Sequence, residues 1–204
     1  MSPLFLVFEG IDGSGKSLQS ELLFRHAASM GLPAVRLTEP TGGEWGRKIR
    51  EMLRKDTMIP AIEQHRLFLM DRKDDVERNI LPAMNEKRIV IMDRYYYSNA
   101  AYQGALGLPP DRIIRENRDM NVPEPDRVYY IDIPPDIALQ RITQRDGAKD
   151  IFERETFLKR VREIFRSLAD KKFLIIDGRL GVEEISGIIR ADFDMLVSID
   201  IQYQ

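Results

Sequence analysis

Gly10, Gly15, Lys16 and Ser17 stand at the spacing Gly-x-x-x-x-Gly-Lys-Ser, the pattern of a loop that wraps phosphate. Ile11, Asp12, Gly13 and Ser14 complete the loop over residues 10–17. Glycines let the backbone take conformations closed to other residues and approach a ligand closely. Successive N–H groups at a helix N-terminus then form an anion-binding nest. In such a loop the lysine, here Lys16, reaches the β- and γ-phosphates, and the hydroxyl of Ser17 holds Mg²⁺. A glycine-rich turn with no ligand needs neither the strict spacing nor the flanking elements. A nucleoside triphosphate is therefore the first ligand expected.

A second group lies at Asp93-Arg94-Tyr95-Tyr96-Tyr97-Ser98-Asn99. Asp93 ends the apolar run Ile89-Val90-Ile91-Met92, where an unpaired carboxylate is costly. It can orient water on Mg²⁺, as a second-strand acid does in phosphate-loop enzymes, or cap a helix. Arg94 next to it can grip two phosphate oxygens at once, or pair with a carboxylate. Phe68 and Arg72 are four residues apart, so they share one helix face. A ring beside a planar cation can receive a nucleobase; alternatively Phe68 is core and Arg72 pairs with Asp71 or Asp75.

These residues need elements to hold them, and the pattern supplies an alternation of strands and helices. Strands are predicted at Leu4–Phe8, Ala34–Leu37, Ile89–Met92, Val128–Ile133 and Phe173–Ile176. Helices are predicted over 16–30, 44–53, from Pro60 toward Leu81, 95–105, from Pro109-Pro110-Asp111, 136–144, 154–169 and from about Val182. Pro82 is expected near a last turn or a kink, and Leu196–Ile199 fits either a continued helix or a strand. The order implies an α/β fold: a parallel sheet of about five strands of the P-loop NTPase type, flanked by helices, in one domain over 1–204. Ligands of such sheets sit beyond the carboxyl ends of the strands, where the unusual residues cluster.

Composition narrows the class further. The chain has 204 residues, enough for one domain with a sizeable core. A net charge of −2 gives no global pull toward nucleic acid or membrane. The absence of cysteine excludes disulfides, thiolate zinc sites and cysteine nucleophiles. No run reaches transmembrane length and no signal-peptide pattern is present, so the cytoplasm is the expected location.

The chain resembles the thymidylate kinases. The resemblance is carried by Phe8–Ser17, by Leu67-Phe68-Leu69-Met70-Asp71-Arg72, and by Asp93-Arg94-Tyr95 with Ser98-Asn99-Ala100-Ala101-Tyr102-Gln103-Gly104. Pro125-Asp126 through Asp132-Ile133-Pro134-Pro135 follows in the same family order. The loop alone is generic, whereas the Asp-Arg-Tyr to Tyr-Gln-Gly block is specific. The resemblance implies transfer of the ATP γ-phosphate to dTMP, with Mg²⁺ held at Ser17 and Asp93. It implies that Arg94 holds the dTMP phosphate, that Phe68 lies against thymine and that Arg72 contacts a base carbonyl. Ser98 or Asn99 and Gln103 would read the base, Tyr102 would crowd the 2′ position, and Glu39 and Pro40 would belong to the acceptor site. Asp12 would contact the 3′-hydroxyl or the phosphate and metal region. Arg141 and the segment after Asp177 would lie near adenine. A homodimer and a mobile lid over about 145–154 are further implications.

The chain departs from the family pattern at two places. Thr38-Glu39-Pro40-Thr41-Gly42-Gly43 replaces the usual Arg-Glu-Pro-Gly-Gly-Thr. The lid reads Asp150-Ile151-Phe152-Glu153, with isoleucine where relatives whose loop lacks an arginine place one. Arg145, Lys149 and Arg154 are the candidates to replace that charge, and Arg47 and Arg50 can add to it or remain solvated. Two other functions fit parts of the pattern. A deoxynucleoside kinase would use Glu39 or Asp12 as base toward a neutral hydroxyl. A nucleotide-binding protein would keep the loop and lack transferase activity.

Overall fold

The computed structural model describes the backbone of residues 3–54, 59–146 and 151–202, and their side chains apart from 143–146, 151–153 and 200–202. Five strands, β1 (Phe5–Glu9), β2 (Ala34–Thr38), β3 (Ile89–Asp93), β4 (Arg127–Asp132) and β5 (Phe173–Asp177), form one sheet in the order β2-β3-β1-β4-β5. Every pairing is parallel. β1 and β3 are buried throughout, which is why both read as apolar runs up to a terminal acid, Glu9 and Asp93. Phe8 stands opposite Asp93, so the chain leaves β1 and β3 side by side. The loop after β1 and the segment after β3 are neighbours for that reason.

Helices α1 (Lys16–Ser29) and α9 (Val182–Gln202) cover one face of the sheet. They pack Leu23, Ile185, Ile189 and Phe193 against Leu6, Phe8 and Ile131. Leu196–Ile199 continues α9 and forms no strand. The other face carries α4 (Leu81–Asn85), α5 (Tyr96–Ala105), α6 (Pro110–Asp119), α7 (Pro135–Asp146) and α8 (Ile151–Leu168). α2 (Glu44–Arg54) packs on α3 (Ala61–Asp75), which packs in turn on α5.

The helix expected from Pro60 toward Leu81 is interrupted. A π-helical turn at Val76–Ile80 separates α3 from α4, and Pro82 lies in the first turn of the short helix after it. Pro82 lacks an N–H, and the wider turn fits the step from α3 to α4. Pro60 itself is the N-cap, one residue before the expected position.

The loop between β2 and α2 is fixed by contacts the sequence hides. Asp71 of α3 accepts the Thr41 N–H at 2.8 Å and its hydroxyl at 2.6 Å. Arg47 and Arg50, whose alternative was free solvated charge, donate to the carbonyls of Gly42 at 3.0 Å and Pro40 at 2.8 Å. Gly46 allows α2 to press on the loop, because a Cβ there would lie 1.9 Å from the Thr41 carbonyl oxygen. Gly46→Ala is expected to destabilise the protein by about 1–3 kcal/mol through forced displacement of this loop. Chemical denaturation compared with Gly187→Ala, whose Cβ would meet open space, checks it.

Candidate active site

The loop after β1 is built from close backbone approaches. At Gly13, φ is +82° and a Cβ would lie 2.5 Å from the Ala138 carbonyl oxygen of α7. A side chain there, arginine included, would displace α7. The loop therefore has no room for a cationic side chain at this position. Lys16 is buried, and its Nζ donates to the Ile11 carbonyl at 3.3 Å and lies 3.9 Å from Asp12 Oδ1. Burial and the nearby Arg94 cation push its pKa down to about 8, against the pull of Asp12, Asp93 and Glu9. Added phosphate charge would favour the ammonium form.

Arg94 follows β3 in the left-handed region, at φ +71°. Non-glycine residues rarely sit there, and such residues cluster at functional sites. Its N–H is held by the Phe8 carbonyl at 3.0 Å, which ties it to the end of β1. Its guanidinium pairs with Asp12, donates to Ser98 Oγ at 3.0 Å and lies 5.3 Å from the centre of the Tyr102 ring. The Tyr102 hydroxyl accepts the Asp12 N–H at 3.0 Å. Burial opposes the Arg94 charge, but Asp12, Tyr102, Glu9 and Asp93 outweigh it and raise its pKa. Burial likewise works to raise the Asp12 pKa, and the Arg94 and Lys16 cations hold it below the usual carboxylate value. Arg94 is thus paired with a carboxylate and also fronts a cavity.

That cavity, about 200 Å³, brings together the acceptor residues expected from the sequence. Phe68, Glu39, Pro40 and Arg72 line one part, and Arg94, Asp12 and Tyr102 another. Ser98, Asn99 and Gln103 complete the wall from α5. Arg72 is fully buried and pairs with Glu39 and with Asn117 Oδ1 at 2.7 Å, not with Asp71 or Asp75. Asp75 instead accepts from Asn79, at 2.6 Å. Arg72 Nε and Glu39 Oε1 remain without partners among the described residues. Burial raises the Glu39 carboxyl, with Arg72 pulling the other way.

Arg141 donates to the Gly178 carbonyl at 3.0 Å and to the Gly13 carbonyl at 3.4 Å, joining the phosphate loop to the segment after β5. Asp177 is tied to Arg179 and borders a separate hollow with Asp132, Arg162 and Arg166. Asp93 does not cap α5, whose N-cap is Tyr95. Its Oδ1 is buried without a partner among the described residues, and Oδ2 lies 3.9 Å from Arg36, which also donates to the Ser17 carbonyl at 3.4 Å. Ser17 and Asp93 supply hard oxygen donors, which suit Mg²⁺. No group of three or more metal-binding side chains gathers among the described residues. The donor set therefore fits an ion completed by water and substrate phosphates rather than a protein cage. Lys149 and the side chain of Arg145 lie outside the described residues.

The motifs of the sequence give Glu9 no role, yet it joins the strand before the phosphate loop to α5. Its carboxyl is buried at the end of β1 and accepts N–H groups of Tyr95 at 2.9 Å and Ser98 at 3.1 Å, with Ser98 Oγ at 2.5 Å. Only its position just before Gly10, inside an otherwise apolar strand, marked it. Burial drives its pKa up to about 7, despite Ser98, Arg94 and the backbone donors.

The comparisons agree with this arrangement. The family described as thymidylate kinase matches residues 8–189. A thymidylate kinase of Leptospira interrogans is 39% identical over 90% of this chain and 90% of its own length. One of Akkermansia muciniphila is 40% identical over 93% and 91%. A probable thymidylate kinase of Archaeoglobus fulgidus is 34% identical over 96% and 97%.

The raised Glu9 pKa fixes the sign of a pH effect. Between its ordinary value of 4.5 and about 7, the folded state binds more protons than the unfolded state. Its contribution to stability is therefore lost as pH rises through that window. Glu9→Gln, a neutral analogue, is expected to gain stability relative to the unsubstituted protein from pH 5 to pH 8. Thermal unfolding at both pH values checks this, and a constant difference would contradict it. By family match, by relatives and by the geometry of its site, this chain belongs to the thymidylate kinase family.

Proposed function

We propose that the protein transfers the γ-phosphoryl group of ATP to dTMP, giving dTDP and ADP for dTTP synthesis. The observation that carries this reading is the junction of Lys16, Asp12 and Arg94 between the phosphate loop and the cavity. Two anions must meet there, and positive charge on both sides lowers the cost. In the proposed reaction Gly10–Ser17 wrap the ATP phosphates and Arg141 borders the adenine. Arg94 exchanges part of its Asp12 pairing for the dTMP phosphate, leaving Asp12 to meet the 3′-hydroxyl or the metal region. An oxygen of that phosphate attacks the γ-phosphorus while the bond to the β-phosphate oxygen breaks. The attacking oxygen is already anionic, so no strong general base is required.

Phe68 lies against the base, and Arg72 offers its unpaired Nε to a base carbonyl. Ser98, Asn99 and Gln103 read the base edge, and Tyr102 disfavours a 2′-hydroxyl. Ser17 and Asp93 would hold Mg²⁺, which would supply positive charge against the transferring phosphates. A homodimer acting as a single kinase domain per chain, in the cytoplasm, completes the proposal on the strength of the resemblance. No helix among the described residues is long and apolar enough to cross a membrane.

Arg154 is the lid cation in this reading. It is exposed near the start of α8, and its charge acts on Asp12. Phe157, one turn on, packs edge-on to Tyr102 at 6.1 Å, which sets this end of α8 beside the cavity. The deoxynucleoside kinase reading is less well served. Glu39 is buried against Arg72, and Asp12 is paired with Arg94, so each carboxyl already has a cation as its partner.

Incubation with ATP, Mg²⁺ and a panel of nucleosides and monophosphates tests the proposal: dTMP is expected to be turned over and thymidine not. Thymidine turnover without dTMP turnover would establish the nucleoside kinase, and ATP binding with no transfer would establish the binding protein. Lys16→Ala is expected to lower kcat by roughly 10²–10³-fold. Arg94→Ala should raise KM for dTMP and lower kcat, while Arg154→Ala should lower kcat by about 10³-fold with KM for dTMP little changed. Steady-state kinetics on each variant checks these, and an unchanged kcat in Arg154→Ala removes it from the reaction.

A further inference from the structure

Behind the α5 wall of the cavity runs a chain of hydrogen bonds across α3, α5 and α6. Arg112 donates to Glu116 at 2.6 Å, and Glu116 faces His65 Nε2 at 2.8 Å. His65 Nδ1 meets Asn99 Oδ1 at 2.9 Å. Asn99 Nδ2 donates to Gln103 Oε1 at 2.7 Å, Gln103 Nε2 to Gln64 Oε1 at 3.1 Å, and Gln64 Nε2 to the Ile59 carbonyl at 2.9 Å. His65, Asn99 and Gln103 are all buried.

The two ends of this chain decide its polarity. The Ile59 carbonyl can only accept, so Gln64 must turn its amide nitrogen toward it. That leaves Gln64 Oε1 for Gln103, which must donate, and the same requirement passes to Asn99. Asn99 therefore presents its oxygen to His65, and Nδ1 must carry a proton. At the other end Arg112, and then His65 itself, hold the Glu116 carboxyl below its ordinary pKa, so it too accepts. Each amide in the chain gives one hydrogen bond and takes one. Two accepting ends can be joined through such links only by one group that donates in both directions. His65 is the group in the chain with a ring nitrogen facing each way, Nδ1 toward Asn99 and Nε2 toward Glu116.

We propose that His65, oriented by Glu116, is a positioning residue that fixes which way the Asn99 and Gln103 amides point and so sets thymine against cytosine in the acceptor pocket. This rests on the dTMP reading above. Asn99 and Gln103 both line the cavity. Thymine presents an N–H and a carbonyl on its pairing edge, whereas cytosine presents an acceptor ring nitrogen and an amino group. The two patterns are inverse, so an amide turned end for end exchanges one preference for the other. With Nδ1 protonated, that turn would set Asn99 Nδ2 against a donor and Oδ1 against Gln103 Oε1, leaving buried groups unpaired.

The test has two arms. The chain has two histidines, so ¹⁵N-labelled imidazole signals assign readily with His65→Asn as the reference. In the unsubstituted protein without substrates, His65 Nδ1 is expected to be protonated; an Nδ1 without a proton would overturn the relay, whatever the acceptor. The kinetic arm compares kcat/KM for dTMP and dCMP. His65→Leu removes the donor and is expected to reduce the dTMP preference by about tenfold or more, with KM for ATP unchanged. His65→Asn keeps a donor at the Nδ1 position and is expected to recover most of that preference. An unaltered preference in His65→Leu, or equal losses in both variants, would overturn the proposal. Failure of the unsubstituted protein to use dTMP would overturn the pocket reading instead, and the ring nitrogen result would stand apart from it.

Discussion

The buried Glu9 carboxyl is the constraint around which the catalytic end of this protein is organised. It sits on the last residue of β1, immediately before the phosphate loop, and grips the first turn of α5 through Tyr95 and Ser98. A carboxyl at zero exposure is costly unless its oxygens are satisfied, and three donors from α5 satisfy it. The same contact sets the start of α5 in register with the loop. Arg94, held from the other side by the Phe8 carbonyl, is thereby presented to the cavity in a backbone conformation that a free chain would avoid. Loop geometry and acceptor geometry are in this sense one structure, joined at the ends of two adjacent strands.

The charges at that junction are arranged before any substrate arrives. The Arg94 cation lies near enough to depress the Lys16 pKa, and Asp12 contacts both cations. Pairing with Asp12 compensates a cation that burial alone would penalise. Phosphate oxygens can take over that compensation with little reorganisation, which is how preorganised charge stabilises a transferring phosphoryl group. The cost of this design is visible in the acids around it: burial raises Glu9, Glu39 and Asp75 alike. Gly13 shows the opposite kind of economy. Its close approach to α7 leaves no room for a side chain, so the loop itself carries no cation at this position.

Much of this was legible in the sequence because it is local. The loop spacing, the apolar strands and the Asp93-Arg94 step are contiguous, and their order along the chain fixed a parallel sheet with its site at the strand ends. The residues expected at the acceptor followed from the resemblance, and the fold gathers them around one cavity. What escaped depends on packing between distant segments. Arg72 finds Glu39 and Asn117 rather than its near neighbours Asp71 and Asp75, because α3 turns that face toward the β2–α2 loop and α6. His65 and Glu116 are 51 residues apart, and no periodicity pairs them. The π-helical turn at Val76–Ile80 replaces what reads as one long helix, since a wider turn carries no sequence signature of its own.

Direct transfer requires donor and acceptor to occupy one continuous cleft, with Lys16, Asp12 and Arg94 at the seam. An adenosine and a thymidine joined through a polyphosphate chain measure this most directly, by calorimetry in the presence of Mg²⁺. Such a molecule should bind at least about 10²-fold more tightly than ATP and exclude both ATP and dTMP, because its second half binds intramolecularly. Affinity no greater than that of ATP, with dTMP still able to bind alongside, would contradict the shared cleft.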